Sequence, residues 1–419
     1  MAFNRDGETD LTETRSMPAR FDTAPQHRRY DTVIIGGAMM GSALAFFLAD
    51  NPDYDGRILV VERDGSYEAS STAHTNSCMR QQFSNEVNIR ISRFAAEFIR
   101  DFPARIGDDN APAIHAHHFG YLYLAVDAEA EAALRSAHAL QTRLGAGTEM
   151  LGLDALAGRF PFLNLDGIRA GSHNTRDEGY WDGGTVFHWL GRRARALGAE
   201  YIENEVTGIG QSGGRVQSVT LRSGERITCG RVVNCAGPRA SIIADMAGIS
   251  LPVEPRRRYT FIFDAATPLD RDLPLTVDPS GVHVRSDGGY YLAGCPPLGD
   301  DRAMDPDDFS FEDGIWEEKL WPAIAHRIPA FERVKVVNAW VGHYAYNAFD
   351  CNAVLGSPSG LDNFIFMNGF SGHGLQQAPA MGRGVMELIT YGEYRSLDLS
   401  AFSYDRITGN TPFAEAAVI

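Results

Sequence analysis

Unbroken apolar runs and helically spaced apolar positions alternate along this chain in a strand, turn, helix order. Residues 31–41 read DTVIIGGAMMG. Val33, Ile34 and Ile35 present no polar face, which predicts a parallel strand buried on both sides and ending in a glycine turn. Residues 41–49 continue as a small apolar helix, and after Asn51-Pro52 the run RILVVE at 57–62 predicts a second buried strand. Ile91, Phe94, Ala95, Phe98 and Ile99 recur at helical spacing within 88–100, a core-facing amphipathic helix. From about residue 111 the pattern changes, with a strand at 120–126 and a helix at 129–144. A turn-rich stretch at 177–184 precedes a helix at 185–197, and residues 205–209, a hairpin through Gly213-Gly214 and RVVNCAG at 231–237 return to buried-strand grammar. Residues 251–346 predict an antiparallel sheet carrying a pocket, with strands at 259–263, 282–285 and 290–293. A last strand from 363 enters a second glycine turn and a helix at 375–389.

This order predicts an α/β (α+β) fold: a Rossmann-type domain interrupted by an antiparallel-sheet, substrate-binding domain. The first would take residues 29–110, 171–250 and 347–405, and the second 111–170 and 251–346, with a mobile extension at 1–28 and a tail at 406–419. A length of 419 residues fits two such units.

Charge and composition narrow the partners. A formal charge of −16 without basic clusters argues against nucleic acid. Lys319 and Lys335 are the only lysines, which weighs against Schiff-base chemistry. Five scattered cysteines with no C-x-x-C pair fit a reducing, cytoplasmic setting and no structural metal, and no apolar run reaches the length of a membrane span.

Candidate chemistry lies at the turns. Gly36 and Gly41 occupy the first and third positions of a G-x-G-x-x-G fingerprint, with Ala38 in the middle, and the helix that follows points its amides at a pyrophosphate. Glu62 ends the second strand about twenty residues on, where a carboxylate accepts ribose hydroxyls. The hydroxyl-rich loop at 64–78 follows directly, placed to donate to phosphates or a polar ring system.

With these pieces in order the chain resembles the FAD-dependent amine and amino-acid oxidoreductases of the D-amino acid oxidase, sarcosine oxidase and dimethylglycine dehydrogenase type. The carrying motifs are VIIGGAMMG at 33–41, Glu62-Arg63, Ser71-Thr72, VVNCAG at 232–237 and GFSGHG at 369–374. RQQFS at 80–84 with GFSGHGLQQAP at 369–379 is most similar to the FAD-dependent oxidoreductase domain-containing subgroup related to a mitochondrial complex I assembly factor. The resemblance implies FAD held by Gly36, Gly37, Ala38, Met39, Met40, Gly41, Glu62, Arg63, Ser71, Thr72, His74, Val206, Ala236, Gly237, Gly372, His373, Gly374, Leu375 and Gln376.

It further implies that Arg80 grips a substrate carboxylate, that Tyr259, His343, Tyr344 and Tyr346 wall the amine, and that His373 sits by the flavin ring. Gln376 stands where sarcosine oxidases carry a lysine, and around 295–305 there is no counterpart of the lysine that promotes their reaction with oxygen. The acceptor is therefore oxygen or a redox carrier. His74 resembles the histidine that carries FAD covalently in dimethylglycine dehydrogenases, but Ala73 replaces the preceding tryptophan and the family's cysteine attachment site falls near His343, so non-covalent FAD is the other reading. The implied activity is oxidation of a C–N bond in a secondary or tertiary amino acid. A D-amino acid or 2-hydroxy acid dehydrogenase, or a non-catalytic assembly module, are the alternatives.

Overall fold

The computed structural model describes residues 20–416; residues 1–19 of the expected extension and 417–419 of the expected tail lie outside the described residues. Five strands form the parallel heart of the first sheet, in the order Phe364–Asn368, Arg226–Asn234, Arg29–Ile35, Ile58–Glu62 and Glu200–Glu203. A hairpin of Val206–Ser212 with Arg215–Leu221 pairs with the start of Arg226–Asn234, whose other end meets Phe364–Asn368. Both faces are covered, as the unbroken apolar runs require. Val33, Ile35, Leu59, Val61 and Val232 face one core, and Ile34, Ile58, Val60 and Val233 face the other.

Helix Met39–Asp50 packs on the second face against helices Gly183–Ala196 and Gly374–Tyr391. Small residues let the axes approach: a Cβ on Gly382 would fall 2.9 Å from the Ala43 carbonyl carbon, and one on Gly191 3.1 Å from Ser42 Oγ. The amphipathic helix expected from residue 88 begins earlier, at Glu86, and ends at Arg100.

The second sheet has eight strands, in the order Val334–Asn347, Val253–Ala265, Tyr290–Cys295, His283–Asp287, Leu275–Val277, Tyr121–Ala125, Ala170–Asn174 and Glu149–Gly152. It is antiparallel except where Leu275–Val277 runs parallel to Tyr121–Ala125, which joins its two halves. Ala170–Asn174 pairs within this sheet, beyond the boundary expected at residue 171. One face packs Tyr259, Phe261, Phe263, Tyr291 and Phe331 into a core of its own. Its other face turns toward the parallel sheet.

The described parts of the expected mobile extension and of the expected tail are both held against the fold. Asp22 bridges Ile202 at the edge of the parallel sheet, and its carbonyl accepts from Glu203 N at 2.9 Å, so residues 20–28 are tied down. Arg406 is buried and forks onto Asp350.

Candidate functional site

A single elongated cavity runs from the first glycine turn to the inner face of the second sheet. Gly36 has a φ of +96°, and a Cβ there would lie 2.6 Å from the Cys235 carbonyl oxygen. A Cβ on Gly41 would lie 1.9 Å from the Gly36 carbonyl oxygen, so helix Met39–Asp50 starts directly against its strand. The N-cap, Ala38, makes no side-chain hydrogen bond and the first turn holds no acid. Ala38, Met39 and Met40 line the cavity with the positive end of the helix dipole behind them, and the Met39 amide donates to Thr72 Oγ1 at 3.3 Å. Glu62 lies across from them, its Oε2 accepting from Gly37 N at 2.8 Å and its Oε1 from Asp64 N at 3.0 Å. Burial pushes this carboxyl up while the two amides pull it back; each oxygen keeps a lone pair for a further donor.

Arg80 stands at the inner end, only 2% exposed. Its Nη1 donates to the Tyr123 hydroxyl, its Nη2 lies 2.7 Å from His373 Nε2, and the guanidinium sits 4.6 Å from the centre of the Phe83 ring. Burial draws its pKa down, and Tyr121, Glu415 and Glu178 act in the opposite direction. His373 caps helix Gly374–Tyr391, which has neither an acid in its first turn nor a side-chain cap, so a second helix N-terminus opens on the cavity. Beside it, Thr260 Oγ1 donates to Asn76 Oδ1 at 3.4 Å and Asn76 Nδ2 lies 2.9 Å from His283 Nε2. Burial draws His283 down to about 4, so this imidazole is neutral at pH 7.

Glu178 supports the Arg80 segment from behind, accepting from Gln81 N at 2.7 Å, Gln82 Nε2 at 2.9 Å and Asn174 Nδ2 at 2.9 Å. Burial pushes it up to about 7, from an ordinary 4.5. A carboxyl raised in the folded state contributes stability that is full below pH 4.5 and lost as pH rises through about 7. Melting curves should therefore show stability falling between those limits by on the order of 3 kcal/mol. Glu178→Gln is expected to flatten that fall; an unchanged slope in the variant would take this carboxyl out of the transition.

The family model described as DAO: FAD dependent oxidoreductase matches residues 31–388. The chain belongs to this family. It is an FAD-dependent oxidoreductase, and it is similar to FAD-dependent oxidoreductase domain-containing protein 1 of Xenopus laevis, 33% identical over 93% of this chain and 85% of the relative. Sarcosine oxidase subunit beta of Rhizobium meliloti (strain 1021) is 26% identical over 90% of this chain and 88% of its own. Among solved structures, L-proline dehydrogenase from P. horikoshii superposes with a TM-score of 0.78 at 25% identity, covering 92% of this chain and 99% of that one.

The cavity fits FAD on its own terms. Two helix N-termini without acids open on it, Glu62 offers acceptors at the ribose position, and the glycine cradle leaves no room for a Cβ. Of the residues expected around the cofactor, Gly36, Ala38, Met39, Met40, Glu62, Arg63, Ser71, Thr72, His74, Val206, Ala236, Gly237, Gly372, His373, Gly374, Leu375 and Gln376 line the cavity. Gly37 and Gly41 stand behind the wall, the first giving its amide to Glu62 and the second keeping the helix close. Arg63 turns its guanidinium to Asp307 at 2.8 Å, and Asp307 also binds Arg239.

The expected amine wall is only partly assembled. Tyr344 lies under the glycine turn, where a Cβ on Gly372 would come within 2.5 Å of its ring. Tyr346 is outside the cavity, with its hydroxyl 3.0 Å from Cys351 Sγ and its ring beneath Arg256. Tyr259 turns its ring into the core of the second sheet beside Phe311, and the His343 ring packs on Phe309 at 4.6 Å while its carbonyl accepts from Ser71 Oγ. All four of Tyr259, Thr260, His343 and Tyr344 border the cavity, but alternation on two paired strands sends the rings of Tyr259 and His343 to the opposite face from Thr260 and Tyr344. Gln376 is spent on structure, its Oε1 accepting from Arg80 N at 2.8 Å and its Nε2 donating to Ser92 Oγ at 3.2 Å. The Nδ1 of His74 lies 3.0 Å from the Ser70 carbonyl, and its ring stacks on Phe309.

Sequence reading missed Tyr121, Tyr123, Asn76, Thr260 and His283. The signal for the tyrosines was available, because alternation at 120–126 puts both on one face of their strand.

Proposed function

We propose that this protein oxidises the C–N bond of a secondary or tertiary amino acid, delivering two electrons and a proton as hydride to FAD and releasing an imine that water hydrolyses. The supporting observation is the placement of Arg80, a buried guanidinium fixed between His373 and the Tyr123 hydroxyl at the cavity end away from the dinucleotide turn. Its planar fork suits a carboxylate. Relatives named for sarcosine and L-proline lend the amino-acid class its weight. Bound FAD supplies the two-electron acceptor. The chain's own part is to bind and orient. Arg80 takes the carboxylate, Tyr121 offers an aromatic face to an N-alkyl ammonium group, and His373, hydrogen-bonded to Arg80, fixes the anchor beside the second helix N-terminus. His283, neutral, adds no competing positive charge near the amine.

Anaerobic mixing with a panel of N-methyl amino acids, L-proline, D-amino acids and 2-hydroxy acids is the test. Loss of the flavin's visible absorbance with the N-alkyl or cyclic amino acids is the expected result, and recovery on admitting air would make oxygen an acceptor. Bleaching by D-amino acids or 2-hydroxy acids alone would replace this substrate assignment, and no bleaching by any member would overturn it.

A further inference from the structure

The C-terminal segment is held by buried polar contacts that lead back to the cavity. Arg406 binds Asp350 with Nε at 2.7 Å and Nη2 at 3.0 Å, and the other Asp350 bonds fix the chain beyond it. Phe413 N donates to Asp350 Oδ2 at 2.9 Å, the Phe413 carbonyl accepts from Asn352 Nδ2 at 2.8 Å, and Glu415 N donates to the Asp350 carbonyl at 3.1 Å. This delivers the Glu415 side chain, 3% exposed, to the start of helix Glu86–Arg100.

The carboxylate there accepts from three residues of the segment 84–88. Oε1 takes Ser84 N at 2.8 Å and Ser84 Oγ at 2.6 Å, and Oε2 takes Asn85 Nδ2 at 3.2 Å and Asn88 Nδ2 at 2.8 Å. Asn88 Oδ1 in turn accepts from Gln377 Nε2 at 3.1 Å. Gln377 follows Gln376, whose Oε1 holds the Arg80 amide. One carboxylate thus joins the C-terminal segment, residues 80–88 and the first turn of helix Gly374–Tyr391. Two amide groups, a backbone N–H and a hydroxyl converge on the two carboxyl oxygens.

We propose that Glu415 is a positioning residue for Arg80: by locking residues 84–88 to the C-terminal segment, and through Asn88 to the first turn of the closing helix, it fixes where the guanidinium points. The inference rests on the reading of Arg80 as the carboxylate anchor. Glutamine at 415 would turn an amide group toward donors and slacken the lock without changing side-chain length. Aspartate would keep the charge one methylene short.

Acetate, a non-reacting carboxylate, is the probe, titrated into the flavin-loaded wild type, Glu415→Gln, Glu415→Asp and Arg80→Ala while the visible flavin spectrum is followed; bound flavin per chain is measured in each. Glu415→Gln is expected to weaken acetate binding about tenfold, in line with loss of hydrogen bonds to a charged group, with flavin content unchanged and Glu415→Asp recovering part of the loss. If Arg80→Ala and wild type bind acetate equally, or neither binds it, the anchor reading fails and this inference with it. If Arg80→Ala loses binding and Glu415→Gln keeps the wild-type dissociation constant, the inference alone is overturned. Loss of flavin in step with acetate affinity in Glu415→Gln would give this side chain a general structural role and also overturn it.

Discussion

Replacing Arg80 by alanine is expected to lower kcat/KM by about 10²- to 10³-fold, with most of the loss in KM and little change in bound flavin. Breaking a buried ion pair costs roughly 3–5 kcal/mol, and each 1.4 kcal/mol is about a factor of ten. The geometry places Arg80 in the lower and middle part of that range. Its guanidinium is cut off from solvent, so a substrate carboxylate entering beside it is desolvated, and alanine leaves that charge facing Phe83, the Tyr123 hydroxyl and His373. Lysine would restore charge without the planar fork and should recover part of the effect. Steady-state kinetics with the substrate found by the anaerobic panel decide the matter. A KM equal to wild type would remove Arg80 from the anchor role, and a loss confined to kcat would place it at the reacting centre instead.

The second large effect is expected at Gly41. A methyl group there would sit 1.9 Å from the Gly36 carbonyl oxygen and 3.2 Å from Ile34 Cγ2, so Gly41→Ala must push the helix off the strand that carries the turn. The wall formed by Ala38, Met39 and Met40 moves with the helix. FAD affinity should fall by on the order of 10²-fold, since overpacking in a close-packed site costs about 1–3 kcal/mol before any contact with the ligand is lost. Flavin absorbance per mole of purified protein, followed by titration of the apoprotein with FAD, reads this directly. Gly158→Ala is the control: it lies in an exposed helix with nothing within 4 Å of its new Cβ, and it should bind FAD as the wild type does. Full flavin occupancy and unchanged affinity in Gly41→Ala would show that the turn accommodates the methyl group.

The parts of the site built from contiguous residues were legible in the sequence. The strand, glycine turn, helix and acid from Val33 to Glu62 carry their geometry locally, because each strand is buried on both faces and the glycines sit where a Cβ meets backbone. The helix expected at 88–100 followed from apolar spacing, and it and the helices expected at 185–197 and 375–389 stand within two residues of those bounds, at Glu86–Arg100, Gly183–Ala196 and Gly374–Tyr391. The inner wall was harder, because it depends on which face of a long strand turns inward. Thr260 pairs with Trp340 and Arg256 with Tyr344, and nothing near Tyr259 or His343 in sequence tells that they point the other way. Tyr121 and His283 reach the cavity only because Leu275–Val277 brings two strand groups together in a parallel pairing, a junction with no local signature. The role of Glu415 depends on Ser84 and Asn88, more than three hundred residues away, and a lone acid among apolar residues at 412–419 gives no hint of it.

The parallel sheet has its own order of assembly. Strand Arg226–Asn234 is bordered on one side by Arg29–Ile35, made early, and on the other by Arg215–Leu221 at its start and Phe364–Asn368, made late, at its end. On the ribosome residues 232–234 therefore stay unpaired on that side until the last of these strands has been synthesised. Pairings between segments so far apart form slowly, and an apolar strand edge left waiting is prone to join the wrong chain. FAD has nowhere complete to dock before that stage, because its channel needs both the Gly36 turn and the Gly372 turn. Once docked it draws newly made chains into the native state by mass action. Riboflavin shortage in a cell would then appear as missing protein as well as missing activity.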